Sequence, residues 1–555
     1  MVICLGKIKF TLILLSLDKY FLAVCFTAVA FHNKQIIMPN NFTDTLFQLV
    51  RSLEKAEKRH FKLYIKRSSG NEDLKVVELF DALDKLETYD ETVLLKKLKS
   101  IKKPQLANIK VHLYKQLLAS LRLLKSTESI DLQLNEQFDF AHILYKKGLF
   151  NQSLKILDKA KETAKANQKV NFLLTAITLE KRIETLHITR SMQTRAEELC
   201  IEVNEVNDRI NTLAKLSNLA MLLYSWFIQN GHTKNNNDGK RIDEYLKKHL
   251  PENALEQNGF YEKLYLYQSF SWYAYIKLDF LLYYKYTQKW VDIFTEQPLM
   301  MRVETGHYIK GLHTLLNAHY DVRNFQKFDE VLKTFEKFAD TDRVRLHDNF
   351  RTQTFVYINT AKLNQHLMLG TFAEGIEQVP SILQQLKQNE LFIDEHRIML
   401  FYYKIASLHF GNANYDACID YLQKIINENT EVKSDMQSYA RLMHLMAHYE
   451  IGNYELIEYL AKSVYRFMSK KDNLTLVEEE MFKFLRKSFH LTRVNMQQEM
   501  EQFLKKIKDL EKSRYETRTF AYLDLVSWLE AKIYKKTMSE ILQNKFKQSR
   551  KRIYL

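Results

Sequence analysis

Apolar residues recur at steps of three and four along almost the whole chain, the spacing that puts them on one face of a helix. Leu46, Leu49, Val50, Leu53, Ala56, His60 and Tyr64 continue one such face. They predict a first helix reaching about Arg67, where "SSGNED" breaks the pattern. Shorter helices are predicted over about 72–88 and 91–101, and Pro104 opens a long one to about Lys125. Helices of about 15 to 25 residues then follow, separated by short breaks. Pro251, Pro298 and Pro380 each fall where one helical pattern stops and the next starts. The one clear insertion is the polar "GHTKNNNDGKR" at 231–241.

Composition sharpens this to an all-α chain. The 555 residues include only 12 Gly and 5 Pro, against average usage of roughly 7% and 5%. Sheets, phosphate-cradling loops and dinucleotide-binding turns need glycines at positive φ, and long helices joined by short turns do not. An apolar content of 46% with 27% charged residues supplies a core and argues against disorder.

Some of the breaks repeat. "KKGLFNQSLKILDKA" (146–160), "MLGTFAEGIEQVPSI" (368–382), "FGNANYDACIDYLQKI" (410–425) and "EIGNYELIEYLAKSV" (450–464) each hold a Gly or Asn turn followed by an aromatic. The aromatic slot is held by Phe150, Phe372, Tyr415 and Tyr454. A weaker copy, "VRNFQKFDEVLKTF", places Phe325 there. The best copy sets Ala141, Leu144, Gly148, Phe150, Ser153, Leu157 and Ala160 in alternating small and large slots. In this it resembles the tetratricopeptide repeat family, whose unit is a pair of antiparallel helices joined by a Gly-aromatic turn. Cys418 and Ile457 replace the usual small residue, Gln137 replaces the usual first-helix aromatic, and spacings of 47, 43 and 39 exceed the regular 34. The resemblance covers four or five degenerate units, within 137–165 and 310–468. It implies an all-α, right-handed superhelical α-solenoid of antiparallel helix pairs that stack because no pair can bury its apolar face alone. The expected organisation is a leader at 1–37, an N-terminal helical module at 38–125, repeats at 126–475 and a C-terminal helical cap with a basic tail at 476–555.

Three readings of the apolar leader stand side by side. Met38-Pro39 before Asn41, Phe42, Thr43 and Asp44 reads as a natural start, which makes 1–37 translated upstream sequence. Lys7, Lys9, an apolar run and Ala28-Val29-Ala30 read as a secretory signal. A membrane anchor is the third reading, although Asp18-Lys19 divides the run into pieces shorter than the ~20 residues of a span. Cys200 and Cys418 are the only cysteines beyond the leader and no CxxC occurs, so a disulfide framework is excluded and a reducing, cytoplasmic setting is expected. An exported or envelope-associated protein is the alternative if the signal is real.

The net charge is +15, and it is concentrated at the two ends. Residues 51–67 carry seven bases against Glu54 and Glu57, and 531–555 carry eight against Glu540, while the long middle is nearly neutral. On one continuous helix, Arg51, Lys55, Lys58, Arg59, Lys62 and Lys66 form a stripe opposite the apolar face. With Arg550, Lys551 and Arg552, the stripe is the candidate contact for nucleic acid or another anion. Against it, bases and aromatics lie on opposite faces, whereas base stacking needs them interleaved. The "DETVLLKKLKSIKKPQLANIKVHLYKQLLASLRLLK" stretch vaguely resembles a helix-turn-helix, but its second helix is too apolar for a groove.

No GxGxxG, GxxxxGK[ST], HExxH or GxSxG motif occurs, so no cofactor is expected and the chain is read as non-catalytic. The "KNNNDGKRIDEY" loop lacks carboxylates at the first and last positions of a calcium loop. His444 and His448, four apart, have a metal-compatible spacing. His366 and His409 hold the later slot in their own repeats, which points to packing instead. Residues 260–294 hold fourteen aromatics in 35 positions. Either two helices bury these rings, or some of them line a groove for a protein or peptide partner. Neighbours such as Tyr283 and Tyr284 diverge by 100° and cannot both point inward. The candidate contact set is Tyr265, Tyr267, Trp272, Tyr273, Tyr283, Tyr284 and Trp290. The sequence thus points to a protein-binding scaffold first, and to a nucleic-acid-associated protein second. The leader generates the first prediction. The intact mass of the native protein begins at Met38, and a mass beginning near Phe31 in an exported fraction would replace that start with a cleaved signal.

Overall fold

A computed structural model describes residues 42–67, 71–187, 189, 194–389, 393–427, 435–471, 474–488 and 493–553. The leader, Met38 and residues 68–70 of the predicted break lie outside the described residues. Every regular element among the described residues is a helix, and none is a strand. The chain divides into two compact units, 1–136 and 137–555.

In the first unit, the predicted opening helix is two helices, Phe42–Ser52 and Lys55–Lys66. The first ends at Ser52, and Glu54 caps the second, its backbone N–H donating to Glu57 Oε2 at 2.9 Å. The break resets the helical phase. Phe61 and Ile65 become the buried pair, while Ala56 is exposed and Leu63 is 53% exposed. These helices enclose a core with Asn71–Asp84, Glu91–Lys97 and Lys103–Lys125, built on Leu46, Val50, Leu79, Phe80, Leu113 and Leu117. Asp90 caps its helix by accepting from the Thr92 and Val93 N–H groups, and Pro104 sits in the first turn of the last one.

The second unit is built from helices that pack on their sequence neighbours. Phe150–Ala166 packs on Val170–Leu186, Phe260–Ile276 on Phe280–Glu296, Thr305–Asp321 on Phe325–Ala339, Glu395–Gly411 on Tyr415–Ile426, and Asp435–Ile451 on Tyr454–Lys471. Asp348–Leu369 packs on the short Phe372–Glu377. First helices also meet one another: Thr305–Asp321 touches Asp348–Leu369, which touches Glu395–Gly411, which touches Asp435–Ile451. The predicted loop at 231–241 is shorter than expected. Asn235 accepts from the Asp238 N–H at 2.9 Å and starts the helix Asn236–His249.

One turn recurs between consecutive helices of this unit. Gly148, Leu278, Arg323, Gly370, Ala413 and Gly452 all have positive φ, between 56° and 86°. The next residue donates its N–H to a carbonyl five positions back: Leu149 to Leu144, Asp279 to Ala274, Asn324 to His319, Thr371 to His366, Asn414 to His409 and Asn453 to His448, at 2.9–3.1 Å. This left-handed cap satisfies carbonyls the ending helix would leave orphaned, and the next helix starts one residue later. Because the offset is constant, so is the register. The third residue after each opening aromatic is buried in every pair: Ser153, Tyr283, Phe328, Gly375, Cys418 and Ile457. Ser153 Oγ donates to the Ala141 carbonyl at 2.8 Å.

The last helices return along the repeats. Trp528 Nε1 donates to Glu450 Oε1 at 2.7 Å, Tyr403 Oη donates to the Tyr522 carbonyl at 3.0 Å, and Phe546 meets Phe325 edge-on at 4.9 Å. At Gly370 a Cβ would lie 2.9 Å from the Leu542 Cβ, so close approach as well as positive φ demands glycine there.

The turn generates a stability prediction. Ala413 is exposed and held at φ 57°, so Ala413→Gly should stabilise the chain by about 0.5–1 kcal/mol. At Gly148 nothing lies within 4 Å of an added Cβ, so Gly148→Ala should cost about 1 kcal/mol through backbone strain alone. Urea unfolding midpoints measure both. Equal midpoints for the three proteins would mean that these turns are not held left-handed in solution.

Candidate functional site

The seven nominated aromatics do not converge. Tyr283 and Trp290 are core residues, because they stand three and ten positions after Phe280, on the face that every second helix buries. A Cβ on Gly311 would lie 3.2 Å from Trp290 Nε1, so the indole packs on the next helix and offers no contact surface. The other five are half-buried and point to different neighbours. Tyr265 meets His307 edge-on, Tyr267 meets Tyr286, Trp272 meets Tyr224, and Tyr284 lies beside His319. Tyr273 Oη donates to Asp243 Oδ1 at 2.6 Å.

The basic stripe is also divided. Arg51 belongs to the first helix and the other five bases to the second. Lys58 pairs with Asp84 at 2.6 Å and Lys62 with Asp81 at 2.7 Å, while Arg51, Lys55, Arg59 and Lys66 are exposed. The side chains of Arg550, Lys551 and Arg552 lie outside the described residues.

The recurring histidine slot is a packing slot, as the sequence indicated, and it includes His319 as well. His319, His366, His409 and His448 each stand four residues before the left-handed turn residue, and their carbonyls accept its cap bond. Two of these rings find a polar partner, whereas both ring nitrogens of His319 and Nδ1 of His409 are buried with no hydrogen-bond partner among the described residues. His366 Nδ1 lies 2.8 Å from Thr371 Oγ1, His448 Nδ1 lies 3.1 Å from Asn453 Nδ2, and His409 stacks on Tyr421. His444 and His448 meet edge-on at 4.5 Å. Among the described residues, no three potential ligands come together as a metal site would require.

A different cluster forms where three first helices share a face. Tyr357, from Asp348–Leu369, stacks on His313 at 3.9 Å and 10°. Lys310 and Arg397, from the helices on either side, lie 5.4 and 5.8 Å from the same ring. Further along the same helices, Tyr320 has Lys404 at 5.3 Å and Arg323 at 5.6 Å. Arg323, Tyr320 and Lys404 also line a cavity of about 70 Å³ with Ser407 and Asp524. Lys310, His313, Arg397 and Lys404 are half-buried, so they remain reachable. Their surroundings are poorly solvated. Burial, with Arg397 adding to it, pulls the Lys310 amine down to about 8. Burial, with Lys310 and Arg397, holds the His313 imidazole well below its ordinary value. Burial pushes the Asp321 carboxyl up to about 7, although Arg323 and Lys404 pull it back. Among the described residues, no carboxylate lies within ion-pair distance of Lys310, Arg323 or Lys404, whereas Arg397 Nε contacts Asp394 Oδ2 at 3.2 Å.

No motif signals this cluster, because its members stand on three helices and up to 94 positions apart. The available signal was the register: Lys310 and Tyr357 each stand thirteen residues before their turn residue. Among the described residues no helix is long and apolar enough to cross a membrane. No protein-family model matches the chain, and no curated protein matches it.

The histidines generate a pH prediction. Burial first, and then neighbouring positive charge, lowers His319 and His444 to about 4, and burial lowers His366, His409 and His448. A histidine neutral in the fold and protonated in the unfolded chain stabilises fully above pH ~6.5, and that contribution is lost as pH falls towards the folded value. Unfolding free energy should therefore drop from pH 6.5 to 4, by up to ~1.4 kcal/mol per pH unit for each histidine that titrates. His319→Gln should flatten the slope by about one proton. An unchanged slope would mean that His319 is protonated in the folded chain.

Proposed function

We propose that the chain is a tetratricopeptide-like solenoid, right-handed and superhelical, that works without catalysis. It holds a protein or peptide segment on the face shared by its first helices, as a cytoplasmic scaffold. One observation carries this reading. A constant register buries one face of each pair and leaves a second face, on consecutive first helices, lined with reachable bases, rings and amides. Stacked helix pairs present such surfaces to extended ligands. The nucleic-acid reading draws less support, since two of its six N-terminal bases are neutralised by aspartates.

Affinity capture of tagged protein from native cells, with and without nuclease, tests the reading. A stoichiometric protein partner should survive nuclease and moderate salt, and should be lost with Asn317→Trp, which fills the shared face from a half-exposed position, at an unchanged melting temperature. Partners that disappear on digestion, or with Arg51, Arg59 and Lys66 replaced by Gln, would move the function to the basic helices.

A further inference from the structure

We propose that the shared face recognises an acidic, extended protein segment through two carboxylate stations, one at Lys310, Arg397 and Tyr357 and one at Arg323, Lys404 and Tyr320. This rests on the reading above and gives the partner its chemistry.

Positive charge on this face exceeds the carboxylates that face it. Several buried or half-buried bases in this unit hold a carboxylate: Lys161 and Arg195 share Glu180, Arg209 holds Glu262, and Lys169 holds Glu304. Half-buried Lys310 and Lys404, and exposed Arg323, lie over tyrosine rings with no carboxylate at ion-pair distance among the described residues. A cation over a ring recovers less than a half-desolvated ion loses, so Lys310 and Lys404 gain when an anion arrives. The sum at each station selects the anion. Lys310 and Arg397 face Asp394, which leaves the first station about one positive charge; Arg323 and Lys404 face Asp321 and share their cavity with Asp524, which leaves the second between zero and one. One surplus charge matches a carboxylate, and a phosphate dianion would exceed it. His313, the remaining titratable group at the first station, lies stacked on Tyr357.

Spacing then sets the ligand's form. Arg397 and Lys404 are seven residues apart on one helix, a rise of about 10.5 Å. A peptide in the extended polyproline II conformation has three residues per turn and rises about 3.1 Å per residue, so side chains three apart share a face and stand about 9 Å apart. The expected element is two Asp or Glu residues separated by two others. The chain's own C-terminal segment cannot serve, because residues 531–555 carry eight bases and a single acid.

A phage-displayed library of random 12-residue peptides, selected at low salt on the full chain, tests this. Selected peptides should carry two acidic residues three apart. Replacing either by Gln should weaken binding at least tenfold in fluorescence anisotropy. Lys310→Gln and Lys404→Gln should each weaken it at least fivefold, with Lys404→Arg retaining most of it and melting temperatures unchanged. No enrichment of acidic pairs over the starting library, or binding indifferent to both lysine variants, overturns the two-station site. If the selected peptides then lose binding with Asn317→Trp, the shared face survives as a docking surface of other chemistry. Peptides that bind Asn317→Trp as they bind the parent chain overturn the docking reading as well.

Discussion

The left-handed cap between paired helices is the constraint from which the rest of the larger unit follows. It satisfies backbone carbonyls at a helix end, and through a fixed offset it decides which side chains of the next helix face inward. The interior slot three residues past the opening aromatic holds Gly375 in one pair and Tyr283 in another. The backbone sets the slot, and volume is balanced by neighbours. A Cβ on Gly375 would lie 3.0 Å from both His366 Cβ and Leu408, so the space a larger residue fills elsewhere is already occupied. Such compensation lets a repeat persist in structure while its residues diverge.

The same constraint explains what was legible in the sequence. Three-and-four periodicity and the shortage of glycine pointed to an all-α chain, and every regular element among the described residues is a helix. Gly148, Gly370 and Gly452 marked their turns because glycine favours positive φ. Leu278 adopts the same conformation without that mark, so the Phe280–Glu296 helix was not aligned with the others. With its register unknown, Tyr283 and Trp290 looked available for contact, and alignment on Phe280 assigns both to the core. At the N-terminus a periodic pattern carried smoothly across Leu53-Glu54, where the chain turns. A face continued through that point misplaced Ala56, because periodicity reports spacing and cannot see one residue of phase lost at a cap.

Net charge was the least informative signal for the middle of the chain. Near-neutrality there is a sum over acids and bases that occupy different places. The acids are drawn into joints between helices, where geometry rewards them. Glu304 is the clearest case. Burial alone would raise its pKa, yet hydrogen bonds from His307 and Tyr261 and the charge of Lys169 hold it at about 2. Glu180, fully buried, binds Lys161 and Arg195 and so ties three helices together.

Bases left over from these joints collect on the shared face, where Lys310 and Lys404 lie over ring faces with no carboxylate at ion-pair distance among the described residues. A local surplus of this kind is invisible to composition, since each such lysine is offset by a glutamate elsewhere that is already committed. It is also invisible to motif searches, since Lys310, Tyr357 and Arg397 become neighbours only when three helices stack. A protein held together by spending its acids internally acquires a basic face at no extra cost in net charge. The fold would then bias such a chain towards acidic partners before any residue is selected for contact.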